Sequence, residues 1–202
     1  MKHLKGEKGS EVKLEIIRRK DKEPLTFTVV RGDIPVESVD ASFLIDGEIG
    51  YVRIKNFGEN TFPEMLTSLA HLHFNGMKSL VIDLRGNRGG YMHPSIQMAN
   101  EFREKDQLIG YTEGSKVKRE EYRSNGLGSF KHLPLVVLVD EMSASSSEIF
   151  AGAIQDNDRG TIIGRRSFGK GLVQQPMAFS DGSEVRLTIA RYHTPSGRCI
   201  QK

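Results

Sequence analysis

The sequence predicts an α/β fold. Two short, continuous apolar runs, at residues 79–84 and 135–139, read as strands buried on both faces. Each leads through a turn rich in small residues into a helical segment, and a hairpin followed by an amphipathic helix precedes them. Strand and helix in alternation pack helices on a sheet.

Taken in order, residues 1–32 stand apart. Val12 to Ile16 alternates apolar and polar with period two, as does Leu25 to Val29, with a turn expected over Lys20-Asp21-Lys22-Glu23-Pro24. Two strands without a third do not make a stable unit, so this segment reads as the remnant of a larger domain. Gly32-Asp33-Ile34-Pro35 breaks the pattern and places a boundary there, with residues 33–202 as the main domain.

That domain opens on Ser42 to Ile45, the turn Asp46-Gly47, and Ile49 to Lys55, a hairpin signature. Thr61 with Glu64 reads as a capping box. Phe62, Met65, Leu66, Leu69 and Leu72 make the apolar face of the helix, and Gly76 ends it. After the strand at 79–84 comes the glycine-rich turn Arg85-Gly86-Asn87-Arg88-Gly89-Gly90, then a helix expected from about Pro94 to Glu104. Residues 108–112 are a strand, and the polar, glycine-punctuated 115–131 an exposed excursion. Residues 148–156 are helical, 161–163 a short strand and 184–192 a longer, alternating one.

Composition excludes several classes. A chain of 202 residues buries one substantial core. A net charge of +3, with no basic run longer than Arg18-Arg19-Lys20, gives no footprint for nucleic acid. One cysteine, Cys199, excludes a disulfide within the chain and any cysteine-based zinc spacing. No apolar run approaches the roughly 18 residues of a membrane span, and no signal peptide is recognisable. The polar opening Met1-Lys2-His3 and the ending at Gln201-Lys202 read as those of a fragment.

The chemistry gathers between residues 143 and 174. Ser143-Ala144-Ser145-Ser146-Ser147-Glu148 follows the second buried strand and opens a helix, where free N–H groups and the macrodipole favour developing negative charge. A serine nucleophile fits there; so does plain capping, since Ser145-x-x-Glu148 is also a capping box. Lys170, in Phe168-Gly169-Lys170-Gly171, is a long amine on a close-approach loop. It serves as a general base only when desolvated enough to be neutral, and Phe168, Leu172 and Val173 are available as apolar walls. The spacing is not that of a P-loop. The turn 85–90 offers freely pointing backbone N–H groups, which with that of Ser146 would make an oxyanion hole; a tight turn needing positive φ is the plainer reading.

Together these motifs resemble the C-terminal processing (tail-specific) serine peptidases over nearly the whole chain. The signatures are Gly50-Tyr51-Val52-Arg53-Ile54, Asp83 to Gly90, Ser143 to Glu148, Phe168 to Gly171 with Gln174, and Tyr192-His193-Thr194-Pro195-Ser196-Gly197. The resemblance implies Ser145 as nucleophile, Lys170 as base, Gln174 as the residue orienting that base, and the N–H groups of Ser146 and of Gly90, favoured over Gly89, as oxyanion donors. Ser146 departs from the alanine usual at that position but keeps the backbone N–H. The resemblance further implies a Clp protease/crotonase-like core of repeated strand-strand-helix units, a PDZ-like domain whose small, β-rich remnant is residues 1–32, and protein or peptide substrates with accessible C-termini. It implies neither cofactor nor metal, and a bacterial envelope location, typically periplasmic. Exposed strand edges open a route to homo-oligomers. Two other readings stand beside this one: a catalytically silent peptide-binding module on the same fold, and a crotonase-like acyl-CoA enzyme, which has no need of a serine–lysine pair.

Overall fold

The computed structural model describes residues 3–19, 23–33 and 37–202. The chain divides into two compact units, Met1–Val36 and Glu37–Lys202. In the first, β1 (Glu11–Ile16) pairs antiparallel with β2 (Leu25–Val30), in register from Glu11 opposite Val30 to Ile16 opposite Leu25. Arg31 ties this ribbon, donating to the Leu4 carbonyl at 2.8 Å and the Ser10 hydroxyl at 2.8 Å. Most of the turn expected between the strands, and Ile34 and Pro35 of the expected Gly32–Pro35 break, lie outside the described residues.

The second unit contains two sheets. In the five-stranded mixed sheet the order is β3 (Val39–Ile45), β4 (Ile49–Ile54), β5 (Ser79–Asp83), β8 (Leu135–Val139) and β9 (Thr161–Gly164). Only the β3–β4 pair is antiparallel; β4, β5, β8 and β9 run parallel. The four-stranded sheet is wholly antiparallel, in the order β10 (Leu172–Ala178), β11 (Glu184–His193), β6 (Leu108–Glu113) and β7 (Glu120–Arg123).

This arrangement corrects the expected fold. A Clp protease/crotonase-like core would repeat one strand-strand-helix unit. Here β3, β4 and α1 (Thr61–Phe74) make one such unit, and the pattern then stops. β5 is followed directly by α2 (Met92–Glu101), and β8 by α3 (Ser146–Asp156). The pairs β6–β7 and β10–β11 leave the mixed sheet to build the antiparallel one. The chain is a mixed α/β fold with a separate antiparallel sheet. β10 and β7 are the strands missing from the sequence reading. β10 holds a proline and two glutamines and has no alternating apolar pattern, and β7 is four residues long, three charged and one tyrosine. Both form by pairing with stronger neighbours, β11 and β6.

The core lies between the mixed sheet and three helices. Val52 and Ile54 of β4, Leu80 and Ile82 of β5, and Val137 and Val139 of β8 are buried with Met65, Leu69 and Leu72 of α1, Met98 and Ala99 of α2, Phe102 at the end of α2, and Phe150, Ala153 and Ile154 of α3. The intervening Val81, Val136 and Leu138 are only half-buried, so these strands are sealed on one face and partly covered on the other. α1 ends as the sequence predicts: Gly76, at φ +100°, lets the Gly76 N–H reach the His73 carbonyl and the Met77 N–H the Leu72 carbonyl, a Schellman pair. Its start differs. Thr61 lies inside the helix, with its hydroxyl accepting the Gly58 N–H and donating to Ser38, while the Glu64 carboxylate accepts the N–H groups of Ser38 and Val39 at 2.6 and 3.0 Å. The expected capping box instead anchors the entry into β3. Two arginines fasten the far ends of α2 and α3: Arg103 donates to the Ala153 carbonyl at 2.7 Å and Arg159 to the Phe102 carbonyl at 2.6 Å. Burial, with Arg159 nearby, pushes the Arg103 guanidinium down to about 10.

Ile82 is fully buried between β4 and β8. Ile82→Ala should lower the unfolding free energy by about 2–5 kcal/mol, read from urea titrations monitored by far-ultraviolet circular dichroism; a change under about 1 kcal/mol would place the core elsewhere.

Candidate active site

Three adjacent parallel strands, β5, β8 and β9, each end on a loop that carries one part of the site. The carboxyl ends of parallel strands are where such sheets place their ligands, because the chain leaves the sheet there into adaptable loops.

β8 runs into Asp140, and the chain turns sharply. The Asp140 carboxylate accepts the N–H groups of Gly86, Met142 and Ser143 at 3.0, 2.9 and 3.1 Å, joining the turn after β5 to the turn after β8. Burial pushes this carboxyl up, but the N–H donors and the Ser143 hydroxyl outweigh it and hold it below the ordinary carboxylate range. Ser143 is fully buried and donates to the Leu84 carbonyl at 2.8 Å, so it is a brace between β5 and β8. Ser145 follows with φ +55° and ψ −112°, outside the regions open to an ordinary L-residue. Such strain persists only where its surroundings over-determine it, and it gathers at functional positions. Here the surroundings are the Ala144 N–H on the Asn87 carbonyl at 3.0 Å, the Ser147 hydroxyl on the same carbonyl at 2.9 Å, and the Ser145 N–H on Glu148 Oε2 at 2.8 Å.

β9 leads to the loop bearing Lys170. Glu148, 6 % exposed, binds it through both oxygens. Oε1 accepts the Ser167 hydroxyl at 2.7 Å and the Gly169 N–H at 2.6 Å; Oε2 accepts the Lys170 N–H at 2.9 Å together with that of Ser145. One carboxylate oxygen therefore holds the backbone of the predicted nucleophile and of the predicted base. The Phe168 N–H adds a bond to the Ser143 carbonyl at 3.0 Å. The sequence reading gave Glu148 the capping role alone. Its second role joins residues 21 and 22 positions apart in the chain, and an acid in the first turn of a helix carries no local mark of it.

The turn after β5 closes against the serines. A Cβ built on Gly89 would stand 2.8 Å from that of Ser145, so only glycine permits this approach. The Gly89 N–H is taken by Asn87 Oδ1 at 2.8 Å. The N–H groups of Gly90 and Ser146 have no protein acceptor among the described residues, and Gly90 is exposed. Gly90 bridges in parallel to Phe57, whose N–H goes to the Gly89 carbonyl and whose carbonyl accepts the Tyr91 N–H. In that pattern Gly90's own polar groups face away from Phe57, and its carbonyl is met by the Ser146 hydroxyl at 3.1 Å on α3.

Two predicted features are placed differently. Lys170 is exposed, and Phe168, expected as an apolar wall, is 53 % exposed, with Leu172 and Val173 half-buried. Gln174 is exposed on β10, beside the bulge at Val173/Gln174 and paired with Thr188; no hydrogen bond joins it to Lys170 Nζ among the described residues. A cavity lined by Glu148, Ser167, Gly169, Arg166 and Lys202 adjoins the network but includes neither Ser145 nor Lys170. The described residues hold no group of three or more side chains suited to a metal, and no helix long and apolar enough to cross a membrane.

Glu148→Gln replaces one acceptor oxygen by a donor facing N–H groups. It should cost about 2–5 kcal/mol, because buried donors lose their partner, and the loss should appear in the urea midpoint. Asp140 gives a pH test. Its folded pKa lies below the unfolded value, so its contribution is complete above the unfolded value of about 3.9 and is lost as pH falls through the folded one. The urea midpoint should therefore drop below about pH 4, and Asp140→Asn should flatten that drop; an unchanged slope in the variant would remove Asp140 as its source.

Residues 48–202 match the model of peptidase family S41. The chain is 36 % identical over 203 residues to the carboxyl-terminal-processing protease of a Synechocystis species, covering 98 % of this chain and 47 % of that protein. To the carboxy-terminal processing protease CtpB of Bacillus subtilis it is 38 % identical over 202 residues, covering 98 % and 42 %. The chain thus spans less than half the length of these relatives. Among solved structures, a photosystem II D1 C-terminal processing protease superposes with a TM-score of 0.73 at 33 % identity, over 98 % of this chain and 54 % of that one. Its fold is the mixed one described above, which is the fold that replaces the expected crotonase-like core. With a family model matched over most of its length and these relatives above 30 % identity, the chain belongs to peptidase family S41, the C-terminal processing proteases.

Proposed function

We propose that this chain carries the catalytic unit of a serine endopeptidase that cuts proteins near their C-termini through an acyl-enzyme. The observation that supports this most directly is the shared acceptor: Glu148 Oε2 holds the N–H of Ser145 at 2.8 Å and of Lys170 at 2.9 Å, with Ser145 strained at a helix N-terminus.

In this mechanism Ser145 Oγ attacks the scissile carbonyl carbon while its proton passes to neutral Lys170 Nζ. The carbonyl oxygen, now negative, accepts from the N–H groups of Gly90 and Ser146, which are unoccupied and lie on facing elements. Collapse breaks the carbon–nitrogen bond, and Lys170 returns the proton to the leaving amine. Water then attacks the acyl ester, its proton passing by Lys170 to Ser145 Oγ as the ester breaks. Lys170 is exposed, so the desolvation a lysine base requires comes from the substrate: an extended peptide lying over Lys170 and exposed Phe168 removes water from the amine. Gln174, four residues on and exposed at a bulge, is the orienting residue of this reading. The substrates are proteins or peptides with accessible C-termini; residues 1–32, with the antiparallel ribbon of β1 and β2, are a PDZ-like remnant; the complete protein acts in the bacterial envelope.

A fluorophosphonate tests this reading, with the adduct located by peptide mass mapping. Wild-type protein should be labelled on Ser145. Lys170→Ala should lower the labelling rate at least about 100-fold, the scale of a lost general base, and Gln174→Ala by less. Absence of label, both on this chain and on one carrying the full preceding domain, would favour a silent peptide-binding module.

A further inference from the structure

We infer that the Ser146 side chain is a positioning residue of the oxyanion hole: its hydroxyl braces the Gly90 carbonyl, one peptide beyond the Gly90 N–H, so the residue supplying one donor also steadies the residue that supplies the other. This inference rests on the assignment of the Gly90 and Ser146 N–H groups as the oxyanion donors.

Consecutive glycines have the freest backbone of any dipeptide, and a hydrogen-bond donor aimed at a developing charge is effective only when its direction is fixed in advance. The Gly89-Gly90 segment therefore requires tethers. Gly89 has φ +93° and Gly90 φ +153°. On one side Phe57 pairs with the Gly89 carbonyl and the Tyr91 N–H. Asn87, fully buried, supplies the next tether: its Oδ1 takes the Gly89 N–H at 2.8 Å while its Nδ2 donates to the Ile54 carbonyl at 2.8 Å. Reversing that amide would set donor against donor and acceptor against acceptor, so the orientation follows from the partners. With its N–H committed, Gly89 is withdrawn from the hole and Gly90 becomes the donor on this loop.

The Gly90–Tyr91 peptide is held on one side by its Tyr91 N–H on the Phe57 carbonyl, and Ser146 braces it on the other. The Ser146 residue is fully buried, and its hydroxyl lies 3.1 Å from the Gly90 carbonyl and 3.0 Å from that of Tyr91, a single proton shared between two acceptors. Ser146 is also the first residue of α3, and its own N–H is one of the helix's unpaired donors. The two donors of the hole are thus joined through one side chain, across 55 to 56 positions of sequence. An alanine at 146 would retain the Ser146 N–H and the helix start, and would release the Gly90 side.

Ser146→Ala is the test, because it removes only the hydroxyl and suits a helix. Two measurements are made on the full chain: the saturation kinetics of fluorophosphonate modification at Ser145, and the amide resonances of Gly89 and Gly90 in protein labelled with 15N-glycine. Loss of one aimed hydrogen bond should lower the limiting modification rate about five- to twentyfold with the half-saturating concentration unchanged, and should shift or broaden the Gly90 resonance while Gly89 stays in place. A limiting rate within about twofold of wild type, with Gly90 unmoved, would overturn the proposal. A wild-type chain that takes no label would count against the peptidase reading alone. The Gly90 resonance would then decide for the brace if it moves in Ser146→Ala, and against it if it does not.

Discussion

A single buried carboxylate, that of Glu148, holds the candidate site together. It takes four donors, two on each oxygen, and those donors come from the serine turn and from the loop of Lys170. Loops bound by one carboxylate through several N–H bonds lose their independence. The strain at Ser145 depends on the same group. A residue at φ +55° and ψ −112° relaxes unless its N–H is held on one side and its neighbours on the other, and here Glu148 and Asn87 supply those holds.

The sheet makes this convergence possible. β5, β8 and β9 are adjacent and parallel, so their carboxyl-terminal loops emerge side by side even though the chain visits them far apart. The β5 loop presents Gly90, the β8 loop Ser145, and the β9 loop Lys170. Asp140 and Asn87 stitch the first loop to the second, and Glu148 stitches the second to the third. The helices set the depth of the arrangement. α2 follows the glycine turn and α3 the serine turn, and Phe102 against Phe150, at 6.2 Å edge to face, packs the two helices together.

What was legible in the sequence was local. The apolar runs of β5 and β8, the Gly76 stop of α1 and the glycine and serine clusters each carry their cause within a few residues, whereas the choice of Ser145, Lys170 and Gly90 within those clusters came from the family resemblance and not from local pattern. The parts that escaped depend on distant partners. Nothing near Glu148 announces the Gly169 and Lys170 N–H groups, and nothing near Thr61 and Glu64 announces that they anchor Ser38 and Val39. β10 and β7 lack strand character of their own and take it from β11 and β6, which is why the antiparallel sheet was missed and a repeating core was expected. Lys170 was expected behind apolar walls because Phe168, Leu172 and Val173 flank it in sequence, but a loop residue can turn its side chain to solvent, as Phe168 does.

Amide hydrogen exchange in wild type and Glu148→Gln reads whether Glu148 couples the nucleophile turn to the base loop. The Ser145, Gly169 and Lys170 amides should be protected together in the wild type and lose protection together in the variant, while the amides of β5 and β8 keep theirs. Gly169 and Lys170 amides that exchange freely in the wild type, or that keep their protection in the variant, would contradict that coupling.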